Sequence, residues 1–346
     1  MPRWLSRSPL PTMFVVALSV AIAAVWGITS ATDARVAEVE RVGGLAGLLA
    51  GSVDADGNLV DADGNILDDP VDLPSQNYLL VGSDTREGIS ADDPDFGVIG
   101  DTGVVSGRRA DTIMVLRRER DGGASLVSLP RDLWVNIPGR GENRINAAYN
   151  SGADQLIATV TQTLGIPIDH YVEVNFVGFR DIVNELGGVT ICFPHPTRDP
   201  KTGLDQPAGC NLLDGLQGLA YSRSRTYQEF REGEWRTEPT ADIGRTQRQQ
   251  LFIRAAADAA IARLTDQPFA SGELIQAVAA SVRVDELLDP FLQAAALKQA
   301  YDGGLTTYSL PVYGDNVGGA SVLRLGEGSG EILDYFRGIG PAPTED

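Results

Sequence analysis

The chain has 346 residues, of which 43% are hydrophobic and 22% charged, enough apolar content for a packed core and too much for a disordered chain. A formal net charge of −19 argues against a nucleic-acid binder, since a phosphate polyanion would be repelled. Lysine occurs only at Lys201 and Lys298, so the positive charge is almost all arginine, whose planar fork favours fixed, bidentate contacts.

The first predicted element is a membrane anchor. No charge occurs from Ser8 to Thr32, Arg3 and Arg7 precede that run, and the first acid is Asp33. A run of this length crosses a bilayer as a helix with its basic end inside. The rival is a signal peptide cleaved near Thr29-Ser30-Ala31, and the long uncharged run with a poor cleavage motif favours the anchor. The expected order is a cytoplasmic tail over 1–12, a transmembrane helix over 13–32, a stalk over 33–76 and a body outside the membrane. Within the stalk, Asp54 to Val60 recurs as Asp61 to Leu67. The sixth-position glycine and twelfth-position glutamate of an EF-hand loop are missing, so this repeat reads as Asp-Gly turns joining short extended pieces.

From Asn77 the pattern becomes mixed α/β. Tyr78–Val81, Thr112–Leu116 and Ser125–Leu129 read as buried strands, the last two joined by a turn at Asp121-Gly122-Gly123. Helical spacing of apolar residues follows over 153–164 and 176–187, with strands at Tyr171–Asn175 and Val189–Phe193. An alanine-rich helix is predicted over 243–264. Beyond it lie two helical patches, a strand near Ser309–Tyr313 and a polar tail. The expected fold is α/β, three layers around a central mixed sheet, with the domain over 77–265 and an extension over 266–346 packed on it. Cys192 and Cys210 flank a loop rich in Pro and Asp, and in an oxidising compartment they would close it as a disulfide. A Cys/His metal site is disfavoured, because His170 and His195 are the only histidines and no CxxC spacing exists.

The residues that could carry chemistry sit at the ends of these elements. Asp84 and Arg86 follow a buried strand, where α/β folds place ligand sites, and Arg131-Asp132 follow another. Period-two geometry puts Arg109 with Asp111 on one strand face, and Arg223 with Arg225 on another. Arg245 and Gln249 share a helix face, with Asp242 in its first turn. Each has a plainer reading: Asp242 as a charge at a helix start, Arg131-Asp132 as a surface turn, Arg248 as a solvated helix charge. Five clusters of arginine and aspartate at element ends point instead to phosphate oxygens, with carboxylates able to hold a hard cation. Serine-type catalysis lacks a convincing base, His170 reads as structural, and no phosphate-binding loop carries its lysine.

Motifs in fixed order then carry a family resemblance. Asn77 to Asp84, Arg109 to Thr112, Leu129 to Asp132, Arg144 to Tyr149 and Val174 to Phe179 are followed by Asn184 to Val189, Leu213 to Gly215, Tyr221 to Arg225 and Gly244 to Gln249. This series resembles the LytR-CpsA-Psr family of cell-wall glycopolymer ligases. The resemblance implies a phosphotransferase that moves a glycan from a polyprenyl-pyrophosphate carrier to peptidoglycan as a phosphodiester, at the cell membrane. It implies that Asp84 and Asp111 hold Mg²⁺, with Mn²⁺ as the alternative, and that Arg109, Arg131, Arg144, Arg223, Arg225, Arg245 and Gln249 hold the pyrophosphate. Asp84, Asp111 and Asp242 are all candidates for the base that activates the acceptor hydroxyl, and Arg131 stands with them as a catalytic candidate. Arg144 stands where many members have lysine, and Ala110 where serine is common. The lipid would need an apolar groove, for which Phe176, Val177, Phe179, Ile182 and Val183 are candidates that would equally serve as helix core. The competing classes are a non-catalytic scaffold or regulator that binds wall polymer or lipid carrier, and a lipid-pyrophosphate hydrolase.

Overall fold

Alternation along the strand at Gln76–Ser83 decides the architecture. Tyr78 and Leu80 enter one apolar cluster, while Leu79 and Val81 enter another on the opposite face. A strand buried on both faces needs a layer on each side. In a computed structural model of the chain, which describes residues 39–53, 59–60, 65–67, 73–85, 110–239, 241–266, 278 and 280–344, both layers are present. The central sheet has seven strands: β1 (Glu40–Val42), β2 (Gln76–Ser83), β3 (Ala110–Arg118), β4 (Ala124–Ser128), β5 (His170–Val174), β6 (Val282–Asp285) and β7 (Leu305–Ser309). Their spatial order is β1-β6-β5-β2-β3-β4-β7. The pairs β1·β6, β5·β2 and β4·β7 are parallel and the other three antiparallel, so the sheet is mixed as expected.

On one face lie α2 (Phe176–Glu185), α3 (Gly215–Arg223), α4 (Ala241–Asp266) and α5 (Pro290–Asp302). On the other lie α1 (Ala153–Thr159), continued by a π turn over Val160–Leu164, and α6 (Ser329–Phe336). Helix starts follow local chemistry. Asn175 caps α2 by accepting from the Gly178 amide at 2.8 Å, and Asp214 caps α3 in a reciprocal pair with Gln217. The approach of α3 to α2 depends on Gly215, where a Cβ would stand 2.3 Å from the Arg180 carbonyl oxygen. That contact places the C-terminal end of α3, and with it Arg223, over the strand ends.

Three expectations are corrected. Part of the predicted stalk belongs to the body: β1 is an edge strand, and Leu45 and Leu49 are core residues. Arg41 fixes this segment by donating to the carbonyls of Asp285 and Leu288 at 2.9 and 2.6 Å. The segment after 266 is no appended layer, because it supplies β6 inside the sheet and β7 at its edge. The strand predicted near Ser309–Tyr313 is two strands divided at Pro311, which has no N–H for a ladder: β7, then a hairpin of Val312–Val317 with Ala320–Leu325. The end of the first repeat, Leu59–Val60, pairs antiparallel with Ser52–Val53 just before it, as short extended pieces should. The predicted membrane helix lies outside the described residues, and no described helix is long and apolar enough to cross a membrane.

Candidate active site: an arginine-lined cleft at the strand ends

β2 and β5 run parallel, and their carboxyl ends open into a cleft of about 420 Å³. Its wall takes Gly82, Ser83 and Asp84 from the end of β2, Asp111 and Thr112 from β3, and Val174, Asn175, Phe176 and Phe179 from the β5–α2 junction. Among the described residues, Arg131, Asp199, Lys201, Thr202, Arg223, Arg225, Thr226, Arg245 and Gln249 line the rest. Seven sequence-predicted residues therefore converge: Asp84, Asp111, Arg131, Arg223, Arg225, Arg245 and Gln249. Among the described residues, five cations (Arg131, Lys201, Arg223, Arg225, Arg245) and three carboxylates (Asp84, Asp111, Asp199) line the cleft, an excess of positive charge there in a strongly acidic chain.

A register shift builds the centre. Gly82 pairs with Thr112 but Ser83 with Ala110, so Asp111 is the extra residue of a β-bulge. Bulges re-aim side chains at sheet rims, and this one turns a carboxylate into the cleft. Arg131 donates to Asp111 Oδ1, Arg225 Nη2 stands 3.7 Å from the same oxygen, and Arg245 Nη2 donates to the Asp111 carbonyl at 3.4 Å. Burial alone would push the Asp111 carboxyl up; the charges of Arg131, Arg245 and Arg225 outweigh it and hold the group below the usual aspartate range. Stability from this cluster is therefore fully present above the unfolded value near pH 4 and lost as pH falls through the lower folded value. The expected result is that the stability difference between the wild type and Asp111→Asn stays flat from pH 7 to about 4 and shrinks below it, measured by denaturant unfolding.

Arg223 and Arg225 do meet in the cleft, but not as strand neighbours. Arg223 ends α3 and Ser224 caps it with ψ 128°, so the chain turns and brings Arg225 back to the same wall. The Arg223 guanidinium lies 4.5 Å from the centre of the Phe176 ring. Gln249 is buried and donates to the Ser222 carbonyl at 3.2 Å, tying α4 to the end of α3. Arg248 is no solvated charge. It is buried, donates to the Ser224 carbonyl at 2.6 Å, pairs with Glu238 and lies 4.4 Å from the centre of the Tyr227 ring.

Arg144 is not among the residues that line the cleft; its Nε stands 3.4 Å from Asp132 and its Nη2 donates to the Ser321 carbonyl at 2.6 Å. Arg109 and the side chain of Asp242 lie outside the described residues. Phe176 and Phe179 reach the cleft wall, Ile182 and Val183 are buried in the core, and Val177 lines a separate groove with Asp181 and Arg283. Sequence reasoning missed Asn175, Asp199, Lys201, Thr202 and Thr226. Asp199 and Lys201 lie inside the loop between the cysteines, and Thr226 follows Arg225, so only their position could have flagged them. Cys192 faces Cys210 across antiparallel strands Val189–Phe193 and Gly209–Leu213, and the two are disulfide-bonded. His170 is fully buried, 3.3 Å from Asp285 and 2.9 Å from Gln293, a structural role.

The fold and the cleft define an α/β protein with arginines gathered beside carboxylates at the strand ends. The LytR_cpsA_psr family profile matches residues 61–331, and the chain belongs to that family. It is 37% identical over 239 residues to the probable cell wall biosynthesis protein LcpB of Corynebacterium glutamicum, covering 68% of this chain and 54% of that protein. The chain thus spans about half the length of that relative. It is 32% identical over 231 residues to the polyisoprenyl-teichoic acid–peptidoglycan teichoic acid transferase TagU of Enterococcus faecalis, covering 66% of this chain and 72% of that protein. Among solved structures, a LytR-Csp2A-Psr enzyme from Actinomyces oris superposes with a TM-score of 0.61 at 25% identity, covering 75% of this chain and 89% of that one.

Proposed function

We propose that this protein is a membrane-anchored phosphotransferase that moves a glycopolymer from a polyprenyl-pyrophosphate carrier onto peptidoglycan as a phosphodiester. The observation that carries the reading is the Asp111 carboxylate ringed by Arg131, Arg225 and Arg245 in a cleft that also holds Asp84 and Arg223. A relative named as a teichoic acid transferase supplies the substrate class. An uncharged run from Ser8 to Thr32, preceded by Arg3 and Arg7, supports an anchor in the lipid carrier's membrane with a cytoplasmic N-terminus.

In the reaction an acceptor hydroxyl oxygen attacks the glycan-bearing phosphorus, the bond to the bridging oxygen breaks, and the lipid leaves as its monophosphate. The hydroxyl proton passes to a carboxylate of the cleft. Arg131, Arg223, Arg225 and Arg245 hold the pyrophosphate in line and meet the charge spread over its oxygens. Among the described residues no three or more His, Cys, Asp or Glu side chains are placed to hold a metal ion by themselves, yet Asp84 and Asp111 offer two hard oxygen ligands in one cleft. Mg²⁺ commonly takes one or two carboxylates and completes its shell with substrate phosphates and water, so these residues fit it. When bound, Mg²⁺ or Mn²⁺ would neutralise charge on the phosphoryl oxygens.

The test incubates the full chain in detergent with Mg²⁺, a polyprenyl-pyrophosphoryl glycan and peptidoglycan fragments, and follows the glycan by mass. Covalent glycan on the fragments is the expected result. Free phosphoglycan alone would make the protein a hydrolase, and binding without turnover would make it a scaffold.

A further inference from the structure

Asp199, at the end of the strand Thr197–Asp199, lines the cleft with Lys201 and Thr202, although no arginine motif includes them. Asp199 is completely buried and accepts five hydrogen bonds. Its Oδ2 takes the Ser224 hydroxyl (2.6 Å), the Arg225 amide (3.2 Å) and the Thr226 amide (2.9 Å). Its Oδ1 takes the Lys201 amide (2.9 Å) and the Thr226 hydroxyl (2.7 Å). Burial would raise this carboxyl, but those donors hold it below the usual range, so it is an anion satisfied by hydrogen bonds. Both ends of the clasp reach the cleft: Arg225 and Thr226 on one side, Lys201 and Thr202 on the other. Lys201 is exposed at the rim, and among the described residues its ammonium has neither a hydrogen-bond nor an ion-pair partner.

We propose that Asp199 is a positioning residue that clasps the 199–203 turn to Arg225, making Lys201 an additional contact to a phosphate of the substrate. The inference rests on the phosphotransferase reading and adds to it a flexible point charge beside the rigid guanidiniums. A carboxylate suits this clasp because all five partners are donors, whereas an asparagine amide would turn a donor toward at least one of them.

The probe is a short-chain polyprenyl pyrophosphate, titrated into the full chain in detergent. Lys201→Gln should weaken binding about 10-fold, the size of one charge-assisted contact, and flatten the salt dependence; Lys201→Arg should restore most of both. Asp199→Asn should weaken binding at least as much, and adding Lys201→Gln to it should cost little more. Unchanged affinity and salt slope in Lys201→Gln, with the wild type binding normally, would overturn this inference alone. No binding by the wild type would remove the phosphotransferase reading and this inference with it. Asp199→Asn losing stability but keeping its affinity as a folded protein would make the residue merely structural. Lys201→Gln, at an exposed position, keeps the test open should the Asp199 variant fail to fold.

Discussion

Asp111→Asn should lower glycan transfer roughly 10²–10³-fold, the range for losing one preorganised electrostatic group. The substitution is nearly isosteric, so the bulge and the fold should remain. What it removes is a charge to which Arg131 donates and near which Arg225 stands, and one of the two oxygen ligands proposed for the cation. The sign of the binding effect separates catalysis from simple anion capture. Without the carboxylate the cleft is more positive, so a polyprenyl pyrophosphate should bind as well or more tightly when divalent cation is absent. Loss of turnover with retained binding is therefore expected, read from single-turnover transfer and a titration of the same variant. Parallel loss of both would mean that Asp111 merely holds the arginines in place.

The second large effect concerns stability. Replacing Cys192 and Cys210 together by serine should cost about 3 kcal/mol, since the bridge closes a loop with a sequence separation of 18. Thermal unfolding should fall by several degrees. The bridge closes the strand pair at the base of the segment that carries Asp199 and Lys201, so donor affinity should fall as well, even where the variant is fully folded. A double-serine variant with unchanged unfolding and affinity would show that the ladder alone holds the loop.

Much of the centre was legible because local rules suffice there. Buried strands at Tyr78–Val81 and Thr112–Leu116 announce themselves by composition, and ligands gather where strands end, so Asp84, Asp111 and Arg131 could be placed before any geometry was known. Arg245 and Gln249 follow from helical spacing. Arg223 and Arg225 were grouped correctly on the wrong premise, since a helix end and a turn bring them together rather than a strand. Non-local pairing was not legible. Nothing in the Glu40–Val42 stretch announces an edge strand, because its partner Val282–Asp285 lies far along the chain. Asp199 stayed hidden for a related reason: four of its five donors belong to Ser224, Arg225 and Thr226, whose approach is set by tertiary structure.

That same non-local pairing sets an order of assembly. Glu40 meets Arg283 across the β1–β6 ladder at a separation of 243 residues, and β7 seals the opposite edge only after residue 305 has been made. The sheet therefore cannot close while the chain is still emerging, and its contact order predicts slow, late folding. A fragment ending near residue 265 would contain every arginine of the cleft and still expose open strand edges, a template for aggregation. Among the described residues none after 266 lines the cleft, yet two of the seven strands in the sheet beneath it come from that segment.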